Sequence, residues 1–166
     1  MERKLFQAFD RQRFQQNARL ASIISDVENR YAREWVAWHL KVGFNHIFIA
    51  DNNRGDEEHF EEVVGDYVMA GKVTVVDFRD KVAVQLEAYN SIYKRYGERY
   101  DWMAFFDMDE FLWFRHGSLK MLTDTEKDVV LVNWECYGDN WLAKYDDRPV
   151  MERFGEPLKH PLYVQY

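Results

Sequence analysis

The sequence predicts an α/β fold, a mostly parallel sheet flanked by helices, and three observations lead to this prediction. The length of 166 residues fits one domain. The hydrophobic fraction of 47% is that of a globular protein and argues against disorder. Short apolar runs alternate along the chain with longer segments of helical periodicity, which is the pattern of βαβ units.

The first half of this pattern is strand, helix, strand. The apolar run at 19–25 predicts the first strand. A helix follows, and its apolar positions form one stripe: Tyr31, Trp35, Trp38 and Val42. Gly43 is the expected end of this helix. The apolar run at 46–50 predicts the second strand, which ends in a polar loop.

The second half repeats the alternation. Residues 57–71 predict a helix with an acidic first turn, and 72–78 a third strand. The next helix is indicated by the spacing of Val82, Leu86, Tyr89, Tyr93 and Tyr96, and it should end at Gly97. Residues 102–106 and 128–134 predict the fourth and fifth strands.

The chain is expected to contain three regions. Residues 1–18 are assigned to an N-terminal extension, 19–135 to the α/β core, and 136–166 to the start of a further region. All prolines lie in this last region, which predicts irregular structure with one short strand at 150–154. We therefore expect the chain to be an incomplete part of a longer protein.

Composition excludes several classes of protein. The net charge of −7 disfavours nucleic acid as a partner. No apolar run is long enough to span a membrane, and the polar N-terminus does not resemble a secretory signal. Cys136 is the single cysteine, so no disulfide forms within the chain. These features predict a cytoplasmic protein without a membrane span.

Acidic residues follow each predicted parallel strand. They lie in the segments 26–29, 51–56, 77–80 and 107–110. Parallel sheets bind ligands at the carboxyl ends of their strands, so these segments are the candidate site.

The segment 107–110, Asp-Met-Asp-Glu, is the candidate metal site. If it is extended, Asp107 and Asp109 share a side and Met108 points into the core. Two carboxylates so placed suit a hard cation, Mg²⁺ or Mn²⁺. Aspartate is frequent in this chain, so the pattern alone is weak evidence. The alternative is that these acids cap a turn and stay solvated.

A family resemblance strengthens the metal interpretation. Residues 31–56 resemble the opening of bacterial family-2-like glycosyltransferases, which are related to family 92. Residues 85–90 are similar to a Gln-x-x-Ala-Tyr-Asn segment of that family. Residues 102–112 are similar to its metal-binding Asp-x-Asp-Glu-Phe motif, and the matching pieces occur in order over 19–135.

The resemblance implies a GT-A fold, a Rossmann-like nucleotide-diphospho-sugar transferase fold. It also implies a hexosyltransferase-like enzyme that moves a sugar from a nucleotide-sugar donor, a UDP-sugar first of all, to a glycan or lipid-linked acceptor. Mn²⁺ or Mg²⁺ would bind to Asp107 and Asp109, and Asp109 with Glu110 would be catalytic. The residues implied to contact the nucleotide are Glu28, Asp51, Asn52, Gln85 and Asp107.

Two departures and two alternatives accompany this interpretation. The family's usual Asn and Ser are replaced by Val27 and Arg54, both near the expected nucleotide pocket. A non-catalytic nucleotide-sugar-binding module would have the same fold. A pyrophosphorylase-like enzyme ranks lower, because the loop after the first strand lacks glycine. Asp51 is expected at the surface, where its loss should reduce stability by no more than about 1 kcal/mol.

Overall fold

The computed structural model describes residues 4–8, 18–24, 28–82, 84–138, 144–145 and 147–154, with the backbone alone described for 4–8 and 18–24. Its frame is a sheet with the strand order β4-β3-β2-β5-β1-β6. The strands are β1 Lys4–Ala8, β2 Ala18–Ile24, β3 His46–Asp51, β4 Val73–Asp77, β5 Trp102–Phe105 and β6 Val129–Val132. The pairs β2–β3, β2–β5 and β3–β4 are parallel, which confirms the predicted α/β class with a mostly parallel sheet.

Strand β1 was not predicted. It lies within residues 1–18 and pairs antiparallel with β5, in a register that sets Phe6 opposite Ala104. The segment is only five residues long, and its partner lies about a hundred residues away along the chain. No local sequence pattern indicates such a pairing, so a short strand of this kind is not predictable from periodicity.

Three helices connect the parallel strands, at the places where the periodicity predicts them. They are α1 Asn29–Val42, α2 Phe60–Met69 and α3 Gln85–Tyr96. Two single-turn helices, α4 Lys120–Thr123 and α5 Val150–Arg153, lie further on. Among the described residues, no helix is both long enough and apolar enough to cross a bilayer.

The short strand predicted at 150–154 is wrong, because this segment forms α5. Pro149 precedes the helix, and its carbonyl oxygen accepts bonds of 3.0 Å from the backbone N–H groups of Glu152 and Arg153. A proline at the start of a helix sacrifices no hydrogen bond, since its missing N–H would have no partner inside the helix.

The apolar stripes that indicated α1 and α3 are only partly buried. Helix α1 buries Asn29, Ala32, Trp35, Val36 and His39, so its inner face is rotated from the predicted one. In α3, the stripe fails at Val82 and Leu86, which are 90% and 76% exposed. Val82 precedes the first turn of α3, and the buried positions are instead Ala88 and Ile92.

Two of the glycines predicted to end a helix, Gly43 and Gly97, behave differently. Gly43 ends α1 with a φ of 122°, and its N–H bonds to the carbonyl oxygens of His39 and Leu40. Such a positive φ favours glycine, so this prediction is confirmed. Gly97 keeps a helical φ of −55° and opens a 3-10 turn, Gly97–Arg99.

The core covers both faces of the sheet. On one face, Phe48 and Ala50 of β3 pack with Ala88 and Ile92 of α3 and with Met103 of β5. Side chains alternate along a strand, so Ile47 and Ile49 point to the opposite face, where both are fully buried. Burial on both faces is typical of parallel strands in α/β proteins.

The chain divides into two compact units, Leu5–Val130 and a smaller one formed by Met1–Lys4 with Leu131–Tyr166. The larger unit contains α1 to α4 and the parallel strands. In the smaller unit, Arg153 of α5 lies over the ring of Tyr145, with 5.3 Å from its guanidinium carbon to the ring centroid. Every residue of the candidate site belongs to the larger unit.

Candidate functional site

The candidate site lies where the parallel strands end. Asp51 is the last residue of β3 and pairs in register with Asp77, the last residue of β4. Asp107 follows β5 by two residues. Parallel strands end at one edge of a sheet, so the fold brings three of the predicted acidic segments to that edge.

Residues Asp107–Glu110 form a tight turn at the end of β5. The N–H of Glu110 donates to the carbonyl oxygen of Asp107 at 3.0 Å. The side chain of Glu110 reaches back, and its Oε2 accepts the N–H of Asp107 at 2.7 Å. The extended conformation predicted for this segment is therefore wrong, whereas the predicted burial of Met108 is confirmed. Asp109 is exposed at the tip.

The Asp107 carboxylate is held by two side chains of α3. Gln85 Nε2 donates to Oδ1 of Asp107 at 2.6 Å, and the Tyr89 hydroxyl donates to the same oxygen at 2.9 Å. The hydroxyl also lies 3.0 Å from the carbonyl oxygen of Phe106. Burial, together with the charge of Asp107, raises the pKa of Tyr89 far above its ordinary value, so this phenol remains a donor.

Helix α1 supports the segment that follows the turn. Trp35 Nε1 donates to the carbonyl oxygen of Glu110 at 2.8 Å, and Trp38 Nε1 donates to that of Leu112 at 2.7 Å. The N–H of Leu112 donates to Nε2 of His39 at 3.1 Å. The apolar stripe predicts that the two tryptophans face the core, and it does not predict these hydrogen bonds. Three ring nitrogens grouped on one helix face were the signal that could have revealed this contact.

His39 is a neutral imidazole with a defined tautomer. It is fully buried, and its Nδ1 lies 2.9 Å from the carbonyl oxygen of Trp35, to which only an N–H can bond. Nε2 is therefore the acceptor for the N–H of Leu112. Burial lowers the pKa of His39 to about 3, while the Trp35 carbonyl opposes this shift.

Asp51 is a buried helix cap. Its Oδ1 accepts the N–H of Asn53 at 3.0 Å and its Oδ2 accepts the N–H of Phe60, at the start of α2, at 3.1 Å. The side chain is 3% exposed, so the predicted surface position is wrong. The carboxylate satisfies two N–H groups that the turn and the helix leave without a partner, which is a structural role.

The other two residues predicted to contact a nucleotide lie in loops. Asn52 Nδ2 donates to the carbonyl oxygens of Phe78 at 2.8 Å and Lys81 at 3.0 Å, and so ties the loop after β3 to the loop after β4. Glu28 is half-buried and directly precedes α1, and its carbonyl oxygen accepts the N–H of Tyr31 at 2.9 Å.

The acid at the end of β4 has its charge compensated by an arginine of the following loop. Arg79 donates from Nε and Nη2 to the two carboxylate oxygens of Asp77, each at 3.0 Å. These bonds, with one from the backbone of Arg79, lower the pKa of Asp77 to about 2. A carboxylate engaged in this way has less capacity for a cation than one without an arginine partner.

The turn offers two carboxylates that would be the ligands of a cation at this place. Within the described part of the chain, no group of three or more His, Cys, Asp or Glu side chains is arranged to hold a metal ion. Asp107 and Asp109 offer hard oxygen ligands, and Mg²⁺ commonly binds through one or two carboxylates, with phosphate oxygens and water as its other ligands. Two carboxylates are too few to enclose a cation, so Mg²⁺ or Mn²⁺ held by this turn would need water or a bound ligand to complete its coordination.

A parallel α/β sheet with an acidic turn at a strand end defines a class of proteins that bind ligands at this edge. Comparison with known sequences identifies the family. The sequence profile of glycosyltransferase family 92 matches residues 24–161. The chain therefore belongs to glycosyltransferase family 92. No solved structure matches the chain at a significant level.

Curated relatives are plant proteins. The galactan beta-1,4-galactosyltransferases GALS3 and GALS2 of Arabidopsis thaliana are 31% and 30% identical to this chain over 99 and 100 residues. These matches cover 55% and 56% of the chain, but 20% and 19% of the relatives. A glycosyltransferase family 92 protein of Ricinus communis is 26% identical over 105 residues, which are 63% of the chain and 18% of that protein. The matched part of this chain thus corresponds to about a fifth of each of these relatives.

Proposed function

We propose that this chain is the donor-binding region of a glycosyltransferase with a GT-A fold, related to the family-2-like enzymes, which takes its sugar from a nucleotide-sugar and depends on Mn²⁺ or Mg²⁺. Membership of family 92 supports glycosyl transfer. The donor, the metal dependence and the GT-A fold are the proposed part.

The main structural support for the proposal is the turn Asp107–Glu110. It places two carboxylates beyond the end of a parallel strand, one exposed and one held by neutral donors. The chain has a net charge of −7, and a diphosphate would be repelled from such an edge without a cation. An acidic turn at this place is therefore consistent with a site where a cation bridges protein and diphosphate.

In this proposal each acid of the turn has its own task. Asp107 and Asp109 hold the cation, which when bound neutralises the charge that develops on the departing diphosphate. Glu110 keeps the turn closed through its bond to the N–H of Asp107. Asp51 and Asn52 act by shaping the loop beside the nucleotide, because their side chains hydrogen-bond to backbone groups.

The relatives suggest which substrates to test first. Two of them are named as galactan beta-1,4-galactosyltransferases. We therefore propose UDP-galactose as the first donor and a β-1,4-linked galactan as the first acceptor for this chain.

Calorimetry with UDP, in Mn²⁺ and in EDTA, tests the proposal. We expect clear binding in Mn²⁺ and weak or undetectable binding in EDTA, with a higher melting temperature in the first case. A screen of UDP-, GDP-, dTDP- and CMP-sugars by thermal shift then identifies the donor. Equal affinity in Mn²⁺ and in EDTA would contradict the metal dependence.

A transfer assay separates an enzyme from a binding module. Transfer of galactose to a galactan acceptor, measured with radiolabelled UDP-galactose, supports an active enzyme. Mn²⁺-dependent binding without any transfer or donor hydrolysis supports the alternative, a non-catalytic nucleotide-sugar-binding module.

A further inference from the structure

Two neutral donors of one helix converge on a single oxygen of Asp107. Gln85 Nε2 lies 2.6 Å and the Tyr89 hydroxyl 2.9 Å from Oδ1. We propose that Gln85 and Tyr89 are positioning residues, which fix the carboxylate of Asp107 in the orientation that binds the cation. This inference rests on the proposed function, because it concerns the same cation.

The spacing of the two donors is that of one helical turn. Residues four apart lie on the same face of a helix, one above the other, so Gln85 and Tyr89 reach the same point from α3. Ala88 and Ile92 anchor the helix in the core and are 0% and 1% exposed. The position of both donors is therefore set by core packing, and the orientation of the carboxylate follows from it.

The chemical type of these donors is what a cation site requires. A lysine or arginine at either place would orient the carboxylate but would also neutralise its charge and compete with the cation. An amide and a phenol orient it without adding a positive charge. A tyrosine phenol is neutral near pH 7, because its ordinary pKa is about 10. Asp77, whose partner Arg79 is charged, shows the opposite arrangement in the same sheet.

Gln85 thereby receives a different role from the one that the family resemblance implies. The resemblance places it in contact with the nucleotide, whereas its Nε2 bonds to Asp107 in the structure. A residue that orients a metal ligand affects the affinity for the metal, and removal of such partners typically weakens metal binding about 10- to 100-fold. A residue that touches the nucleotide affects the affinity for the nucleotide instead.

The test measures these two affinities separately. UDP binding to the 166-residue chain is followed by calorimetry over a series of Mn²⁺ concentrations. The variants are Gln85→Leu and Tyr89→Phe, which remove the donors at similar size, with Asp107→Asn as the reference. Tyr93→Phe is the matched control, since Tyr93 lies one turn further along α3 and packs against Phe105. Thermal melts establish that each variant is folded at the assay temperature.

The positioning role predicts that the variants need more Mn²⁺ but keep their affinity for UDP once Mn²⁺ is saturating. Gln85→Leu and Tyr89→Phe should raise the Mn²⁺ concentration for half-maximal UDP binding about 10- to 100-fold, with the affinity for UDP restored at saturating Mn²⁺. Tyr93→Phe should match the wild type. Tyr89→Phe deletes one atom, so this variant decides the question if Gln85→Leu does not fold.

Two results would overturn the inference and leave the proposed function in place. In the first, both variants keep the wild-type Mn²⁺ dependence while Asp107→Asn loses it. In the second, the affinity of the Gln85→Leu variant for UDP stays low at saturating Mn²⁺, which indicates that Gln85 contacts the nucleotide. A wild-type protein that binds UDP without response to Mn²⁺, or does not bind it, overturns the proposed function and this inference together.

Discussion

The turns after β3 and β5 look alike in the sequence and differ in the structure. In the sequence, each begins at an aspartate that directly follows a predicted strand, 46–50 or 102–106. After β3, Asp51 is buried, and both of its oxygens bond to backbone N–H groups of its own loop and helix. After β5, Asp107 is half-buried, and one oxygen is held by side chains of α3.

The contrast between the two turns indicates which carboxylates at a strand end can bind a ligand. A carboxylate whose oxygens satisfy the backbone stabilises the fold, and moving it to a ligand would leave two N–H groups without partners. A carboxylate oriented by side chains keeps its charge and its place while the backbone remains satisfied. The turn after β5 has the second arrangement, and its neighbour Asp109 is exposed.

The largest expected effect is that of Asp51→Ala on stability. Removal of this carboxylate leaves the N–H groups of Asn53 and Phe60 buried without their acceptor, so we expect the free energy of unfolding to fall by about 2–4 kcal/mol. Urea denaturation measures this change. Asp56→Ala, an exposed acid of the same loop, is the control and should change little. A loss as small as that of the control would mean that Asp51 is not a structural cap.

Asp109→Asn should leave stability nearly unchanged and should weaken UDP binding. The side chain is exposed, and within the described residues it makes no hydrogen bond or ion pair, so we expect the melting temperature to stay within about 2 °C. The affinity for UDP in Mn²⁺ should fall by about tenfold or more, equivalent to about 1.4 kcal/mol. Asp124→Asn, an exposed acid near α4, controls for the change in net charge. Unchanged Mn²⁺-dependent binding would remove Asp109 from the site.

The fold could be predicted largely from local patterns. Periodicity located α1, α2 and α3 and the parallel strands, because each of these elements buries a repeating apolar set. The placement of Asp107 at a strand end followed from the same alternation. Positions such as Gly43 were predictable because a single residue type favours the required backbone angle.

The remaining features depend on partners far apart in the chain. Trp35 and Glu110 are separated by 75 residues, and their hydrogen bond leaves no local pattern. The burial of Asp51 is set by the start of α2, nine residues later, rather than by its polar neighbours. The turn at Asp107–Glu110 was predicted as extended because alternation along a strand was continued past the end of β5.

Acidification should weaken the support of the turn after β5 through His39. The pKa of His39 is about 3 when folded and about 6.5 when unfolded, so the unfolded state binds an extra proton between these values. The stabilising contribution of the neutral imidazole is complete above pH 6.5. As the pH decreases toward 3, the free energy of unfolding should fall by up to about 1.4 kcal/mol for each pH unit. Urea denaturation at pH 8, 7, 6 and 5 measures this slope.

His39→Gln isolates the contribution of this residue, because glutamine does not titrate. We expect this variant to be less stable at pH 8 and to lose less stability than the wild type between pH 7 and pH 5. Parallel curves for the two proteins would show that His39 is not neutral in the folded state.

The smallest expected effect concerns Asp80. This residue lies in the loop after β4, and its side chain stabilises the loop after β3. Asp80 has a φ of 60°, and its Oδ1 accepts the N–H of Gly55 at 2.9 Å. Asn tolerates this backbone conformation and keeps an acceptor, so Asp80→Asn should be nearly neutral. Asp80→Ala loses the acceptor and should lower the free energy of unfolding by about 1 kcal/mol. Mn²⁺-dependent UDP binding should survive both changes if the turn after β5 alone holds the cation. A loss of binding in Asp80→Ala, with wild-type binding in Asp80→Asn, would show instead that the geometry of the loop after β3 also determines the site.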